Sequence, residues 1–216
     1  MKNIYLKLAL TTLLSTIAVQ GFSKQEEPNL SSATGQPPFF EYHNRIILFS
    51  PLHLGYERIK PKDLYWGIEG WAVPLKNSQS NLFMDIEGRM GYNFFYNGRD
   101  HFTPFAGVGY LQDFSKKEYH RPGVTYGTIG FLYDHEFNSV FNMGFNVKSL
   151  IGGAVSHDRL NWGSPVLGVD IALPLTLRFG HNRHWDYRIE PFNTYIHGTE
   201  AYFNCLGCRN SIAYRF

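Results

Sequence analysis

The sequence predicts an all-β fold, an antiparallel up-and-down β-barrel. Three observations predict it: long segments in which apolar and polar residues alternate, an aromatic content of 17% with 21 Gly, and an alternating C-terminus, RNSIAYRF. Alternation with a period of two marks a strand that presents different environments to its two faces. A helix would repeat its apolar residues at three- and four-residue spacing, and these segments do not.

The N-terminus reads as an export signal. Lys2 and Lys7 precede an apolar run from Leu8 to Val19, and Gly21-Phe22-Ser23 supplies small residues for cleavage after Ser23. The expected organisation is a signal peptide over 1–23, a polar, Pro-containing leader over 24–41 and a barrel over 42–216. Removing the signal leaves 18 basic and 18 acidic residues. That neutral balance excludes a nucleic-acid binder, which would show a basic excess. Beyond the signal, no apolar run approaches the roughly 18 residues of a membrane helix.

Strands are expected at about 45–57, 64–74, 82–94, 102–113, 122–136, 139–151, 166–180, 186–197 and 208–216. In the third, Leu82, Met84, Ile86, Met90 and Tyr92 share a face, opposite Asp85, Glu87 and Arg89. In the sixth, Phe141, Met143, Phe145 and Val147 oppose Asn142, Gly144, Asn146 and Lys148. The seventh carries the longest row, Leu167, Val169, Ile171, Leu173, Leu175, Leu177 and Phe179, with Gly168, Asp170, Ala172, Pro174, Thr176 and Arg178 behind it. Loops 114–121, 152–165 and 198–207 are long, while 137–138 and 181–185 are short.

Alternation alone does not say which face meets the core. A soluble sandwich buries its apolar face, whereas a membrane barrel turns it to lipid and keeps a polar interior. Strand length favours the barrel: the Leu167–Phe179 row exceeds the 5–6 residues typical of sandwich strands and suits the 9–11 of a tilted membrane strand. So does the polar face, where Glu69, Asp85, Glu87, Arg89, Lys148, Asp170, Arg178, Arg188 and Glu190 form a candidate interior charge network of mixed sign. Aromatic residues gather near strand ends, as in interfacial girdles.

With the signal peptide, these strands and the terminal Ile212-Ala213-Tyr214-Arg215-Phe216, the chain resembles the small Gram-negative outer-membrane barrels of the OmpA/OmpX type. The resemblance implies eight strands, with ten as the alternative, because bacterial single-chain barrels have even numbers. The nine segments above therefore include an error, and 45–57 is suspect because Pro51 interrupts it. The resemblance also implies that Ile212, Tyr214 and Phe216 form an assembly signal. It implies an outer-membrane location, lipid and lipopolysaccharide as surroundings, contact with the barrel assembly machinery, and a monomer.

Chemistry is sparse. A lipid A deacylase-like barrel enzyme would need a His–Ser pair. The nearest approaches are Ser156-His157-Asp158 with Ser164, His101-Phe102-Thr103 and His197-Gly198-Thr199, none of which is His-x-Ser. Cys205-Leu206-Gly207-Cys208, in an oxidising compartment, is expected to form a loop disulfide. Gly107-Val108-Gly109 lacks the third Gly and the helix of a nucleotide loop. No catalytic, cofactor-binding or metal-ligating set emerges. The interior charges could line a narrow pore. A closed polar core is the expectation, because a small barrel's interior is filled by side chains.

Overall fold

The computed structural model describes residues 44–48, 53–74, 80–96, 99–115, 123–155, 162–180, 183–198 and 202–216. The expected signal peptide and leader lie outside them. The chain runs through β1 (Asn44–Leu48), β2 (His53–Arg58), β3 (Leu64–Pro74), β4 (Ser80–Tyr92), β5 (Phe94–Tyr96), β6 (Asp100–Ser115), β7 (Gly123–Glu136), β8 (Phe141–Val155), β9 (Trp162–Ala172), β10 (Leu175–Phe179), β11 (Trp185–Gly198) and β12 (Tyr202–Arg215). All pairings are antiparallel, the wall following chain order once β5 and β10 are counted with β4 and β9, and β12 returns to β1 to close the barrel.

Two of the twelve segments are continuations. β5 extends β4 past Asn93 and keeps its register on β6, with Gly91 opposite Phe105 and Phe94 opposite Phe102. β10 extends β9 past Leu173-Pro174 and keeps register on β8 and β11. The Pro has no N–H to give, but its carbonyl accepts from the Gly144 N–H at 2.7 Å, and the Leu173 N–H donates to Pro191 at 2.9 Å, so the ladder survives. The wall thus has ten strands, the second of the two counts allowed by the sequence. The expected count of eight gives way because the suspect segment 45–57 is a hairpin: β1 and β2 pair with Ile46 opposite Tyr56, and Pro51 falls between them.

The long-loop expectation is also corrected. β6, β8, β9 and β12 run to Ser115, Val155, Trp162 and Tyr202 at the end away from the chain termini. They consume more than half of the expected loops 152–165 and 198–207 and the first two residues of 114–121. Among the described residues the β1–β2 hairpin is the short one: its ladder to β12 stops at Leu48–Ile212, and its ladder to β3 stops at His53–Trp71.

The faces sort as a barrel requires. Outward positions hold Ile86, Met90, Val108, Ile129, Met143, Phe145, Ile151, Leu167, Ile171 and Leu206, all exposed. Inward positions on the same strands hold Asp85, Glu87, Thr128, Asn142, Lys148, Asp170 and Arg209, all buried. Inside, small residues make room for large ones. The Tyr126 ring lies across Gly109, where an added Cβ would come within 2.4 Å of it. At the terminal end, Gly180 takes φ +81° to start the turn before β11.

Near the Asn44–Phe216 pair, aromatic rings line the outer rim. Tyr56 lies 4.9 Å from Trp66, Tyr214 stacks on Phe216 at 6.3 Å, and Trp185 meets Tyr214 at 4.9 Å. Ile212 and Tyr214 are half-buried on the outer face of β12, opposite Leu48 and Ile46 of β1.

Candidate functional site: the charged interior of the barrel

Each strand delivers its inward charges at alternate positions, so the register decides which meet. β3 and β4 place Glu69 directly beside Glu87, and Gly67 beside Arg89. Arg89 lies between the acids: it pairs with Glu69 and sits 3.3 Å from Glu57. Glu57 also pairs with Arg45 of β1 and accepts a hydrogen bond from the Tyr65 hydroxyl at 3.0 Å. His53 Nε2 lies 2.5 Å from the other oxygen of Glu69.

Across the lumen, Lys148 of β8 pairs with Glu87 and stands 3.6 Å from Asp85. The Tyr126 hydroxyl donates to Asp85 at 2.6 Å. Asp170 accepts from the Thr194 hydroxyl and lies 3.7 Å from Arg209. Arg209 binds Glu190 at 2.5 Å, and Arg188 reaches the other oxygen of Glu190 at 2.8 Å. A third group lies nearer the chain termini. There Arg178 meets Glu136 at 2.6 Å and Asp186 at 3.8 Å, while Arg215 stands 3.2 Å from Asp186.

All nine charges singled out from the sequence therefore lie inward and in ion pairs. Sequence reasoning missed Arg45, His53, Glu57, Glu136 and Asp186; the alternation of RNSIAYRF put Arg209 and Arg215 in the polar interior, where they lie. A signal existed for each, since each continues the inward parity of its strand: Arg45 precedes Ile47 by two, and Asp134 and Glu136 extend the row of Tyr126 and Thr128.

A second feature had no clear signal. Toward the end away from the termini the interior is apolar, where Phe83, Leu111, Val124, Leu150, Ala154, Val166, Ile196 and Cys205 form a continuous packed cluster with Trp71 and Phe192. Arg209 joins the two zones, its guanidinium lying 4.8 Å from the Trp71 ring centre and 4.4 Å from that of Phe192. That geometry gives a desolvated cation an aromatic face as well as its carboxylates.

Little open volume remains. The charged middle of the lumen holds a cavity of about 30 Å³. A second, of about 90 Å³, lies among the charges near the termini. Either accommodates only a few water-sized molecules.

The expected disulfide is corrected. Cys205 and Cys208 lie on one strand, β12, three residues apart, so they point to opposite faces: Cys205 is buried inside and Cys208 is exposed outside, and they are not joined. Of the histidine candidates, His197 points outward on β11, and His101 is inward, 3.5 Å from Glu136. Ser156, His157 and Asp158 lie outside the described residues, as does the Ser164 side chain. No group of three or more metal-ligating residues occurs among the described residues. In the turn outside the barrel, Arg58 donating at 2.6 Å, together with the Leu64 N–H and Lys60, holds the Asp63 carboxyl well below the usual carboxylate range.

Comparison with protein-family models, curated proteins and solved structures returned no match for the chain.

Proposed function

We propose that the chain is an integral outer-membrane barrel of a Gram-negative cell envelope, with a sealed interior and a structural or surface-contact role, as in the small barrels it resembles. The observation that carries this reading is the inversion of the faces. Large apolar side chains cover the outside while the charges, mutually paired, fill the inside. In water this arrangement would expose a broad apolar band and bury ions at a desolvation cost. In a bilayer the band meets hydrocarbon, and closure of the barrel pairs backbone groups that lipid cannot.

The aromatic rim near Asn44 and Phe216 supports placing the chain ends at the periplasmic headgroups, since amphipathic rings favour that zone. Phe216, with Ile212 and Tyr214, then serves as the assembly signal before it serves as part of the rim. The packed apolar interior and the small cavities support a sealed barrel rather than a narrow porin. Fractionation of expressing cells, followed by gel electrophoresis with and without boiling, tests the reading. The protein is expected in the outer-membrane fraction with heat-dependent migration. Recovery as a soluble periplasmic protein would overturn it.

A further inference from the structure

We propose that the interior cavity near the chain termini binds a small primary ammonium group. The cavity, about 90 Å³, is lined by four carboxylates, Glu57, Asp134, Glu136 and Asp186, and by three guanidiniums, Arg45, Arg178 and Arg215, with His101 beside them, while Arg89 reaches Glu57 from the middle of the lumen. Two of the carboxylates share one wall. Asp134 and Glu136 are successive inward residues of β7, and Asn142 lies directly across from Glu136 on β8.

Two of these residues present acceptors that lack donors among the described residues. Glu136 is 1% exposed; Arg178 and His101 approach its Oε1, yet its Oε2 accepts no hydrogen bond among the described residues. Asn142 is 6% exposed, and its Oδ1 is likewise without a donor. Asp134 is half-buried above Gly144, where a Cβ would fall 2.3 Å from its Oδ1, so the Gly leaves the carboxylate room to turn toward the cavity. A buried acceptor without a donor costs free energy. An ammonium carries three donors and one positive charge, which suits the two orphaned acceptors and the Asp134 carboxylate beside them. A metal ion is a poorer match, because no group of three or more metal-ligating residues occurs among the described residues. The cavity volume admits a methylammonium-sized group and excludes a bulky amine.

The same chemistry is offered by a soluble amine and by the headgroup of an aminophospholipid. The test uses the full mature chain folded in detergent and titrated calorimetrically with methylammonium or tetramethylammonium. The latter has the charge but no N–H donors. Methylammonium is expected to bind once per chain, and tetramethylammonium, which lacks N–H donors and is bulkier than the cavity admits, at least tenfold more weakly. Asp134→Asn, which removes a negative charge from this wall, is expected to weaken methylammonium by about tenfold with a smaller effect on thermal unfolding than Glu136→Gln. Glu136→Gln should weaken it too, with some loss of stability through Arg178. Repeating the titration in bilayers with and without phosphatidylethanolamine separates the sources: competition by that lipid assigns the headgroup, and its absence assigns a soluble amine. Equal binding of the two ions, parent-like binding by Asp134→Asn, or no binding of methylammonium would overturn the proposal.

Discussion

Single side chains in this protein are held by partners of opposite sign, and the cost of removing one follows from what it leaves behind. Lys148 serves both Asp85 and Glu87, each buried. Lys148→Ala would leave two carboxylates facing each other without a cation. Denaturant unfolding in detergent is expected to show a loss of about 3–5 kcal/mol, the usual result of breaking a buried pair from one side. The cysteines make a separate prediction. A thiol reagent that partitions into the detergent, applied to the folded protein, should modify Cys208 and spare Cys205, which is 2% exposed. Equal protection of both would restore the disulfide. The pairing suggested by Cys-x-x-Cys spacing and compartment fails for a geometric reason: the residues lie in a strand rather than a loop, and an odd offset sends them to opposite faces.

At the scale of elements, the legible parts of the sequence were those with contrasting faces. The Leu167–Phe179 row, the Leu82–Tyr92 segment and the Phe141–Lys148 segment each appear as strands with the predicted sides, because a polar lumen faces an apolar exterior there. Legibility faded where both faces are apolar. Leu111, Val124, Leu150, Val166, Ile196 and Cys205 point inward toward the end away from the termini, and just beyond them Gly152-Gly153, Gly163-Ser164-Pro165 and Gly207 read as loop residues although they lie within β8, β9 and β12. The β1–β2 hairpin was hidden for another reason. Its two strands total 11 residues and lack any Asn-Gly or Asp-Gly turn, leaving only Pro51 as a sign of interruption. Ile171, 41% exposed in the middle of β9, tests the facing of the longest row. Ile171→Arg should destabilise the folded barrel in lipid by about 2–4 kcal/mol. Indifference to that change would mean the residue does not meet hydrocarbon.

The whole molecule reads as an ion-paired core within an apolar jacket, closed by the pairing of β12 with β1. That closing ladder is short, running from Arg45–Arg215 to Leu48–Ile212 and extended by reciprocal hydrogen bonds between Asn44 and Phe216. Deleting Phe216 removes those bonds along with a rim ring. Pulse-labelled cells should then insert less protein, while barrel already folded keeps most of its stability; insertion at the parental rate would contradict the assembly role. The candidate site was legible in kind, a mixed-charge interior, but not in extent. Which charges meet depends on cross-strand register, and a single sequence does not print register. His53 beside Glu69 and Arg45 beside Glu57 are examples, joined only once the hairpin is recognised.

The central claim is that the outer face meets lipid and the inner face does not. Neighbouring residues Thr128, buried at 3%, and Ile129, exposed at 68%, lie on opposite faces of β7 and test it directly. A fluorophore placed on a single cysteine at Ile129, in protein reconstituted into vesicles, should be quenched by lipids brominated along their acyl chains and shielded from aqueous iodide. The same label at Thr128 should be insensitive to the brominated lipids. Quenching of the Ile129 label by iodide, with no response to brominated lipid, would contradict the account.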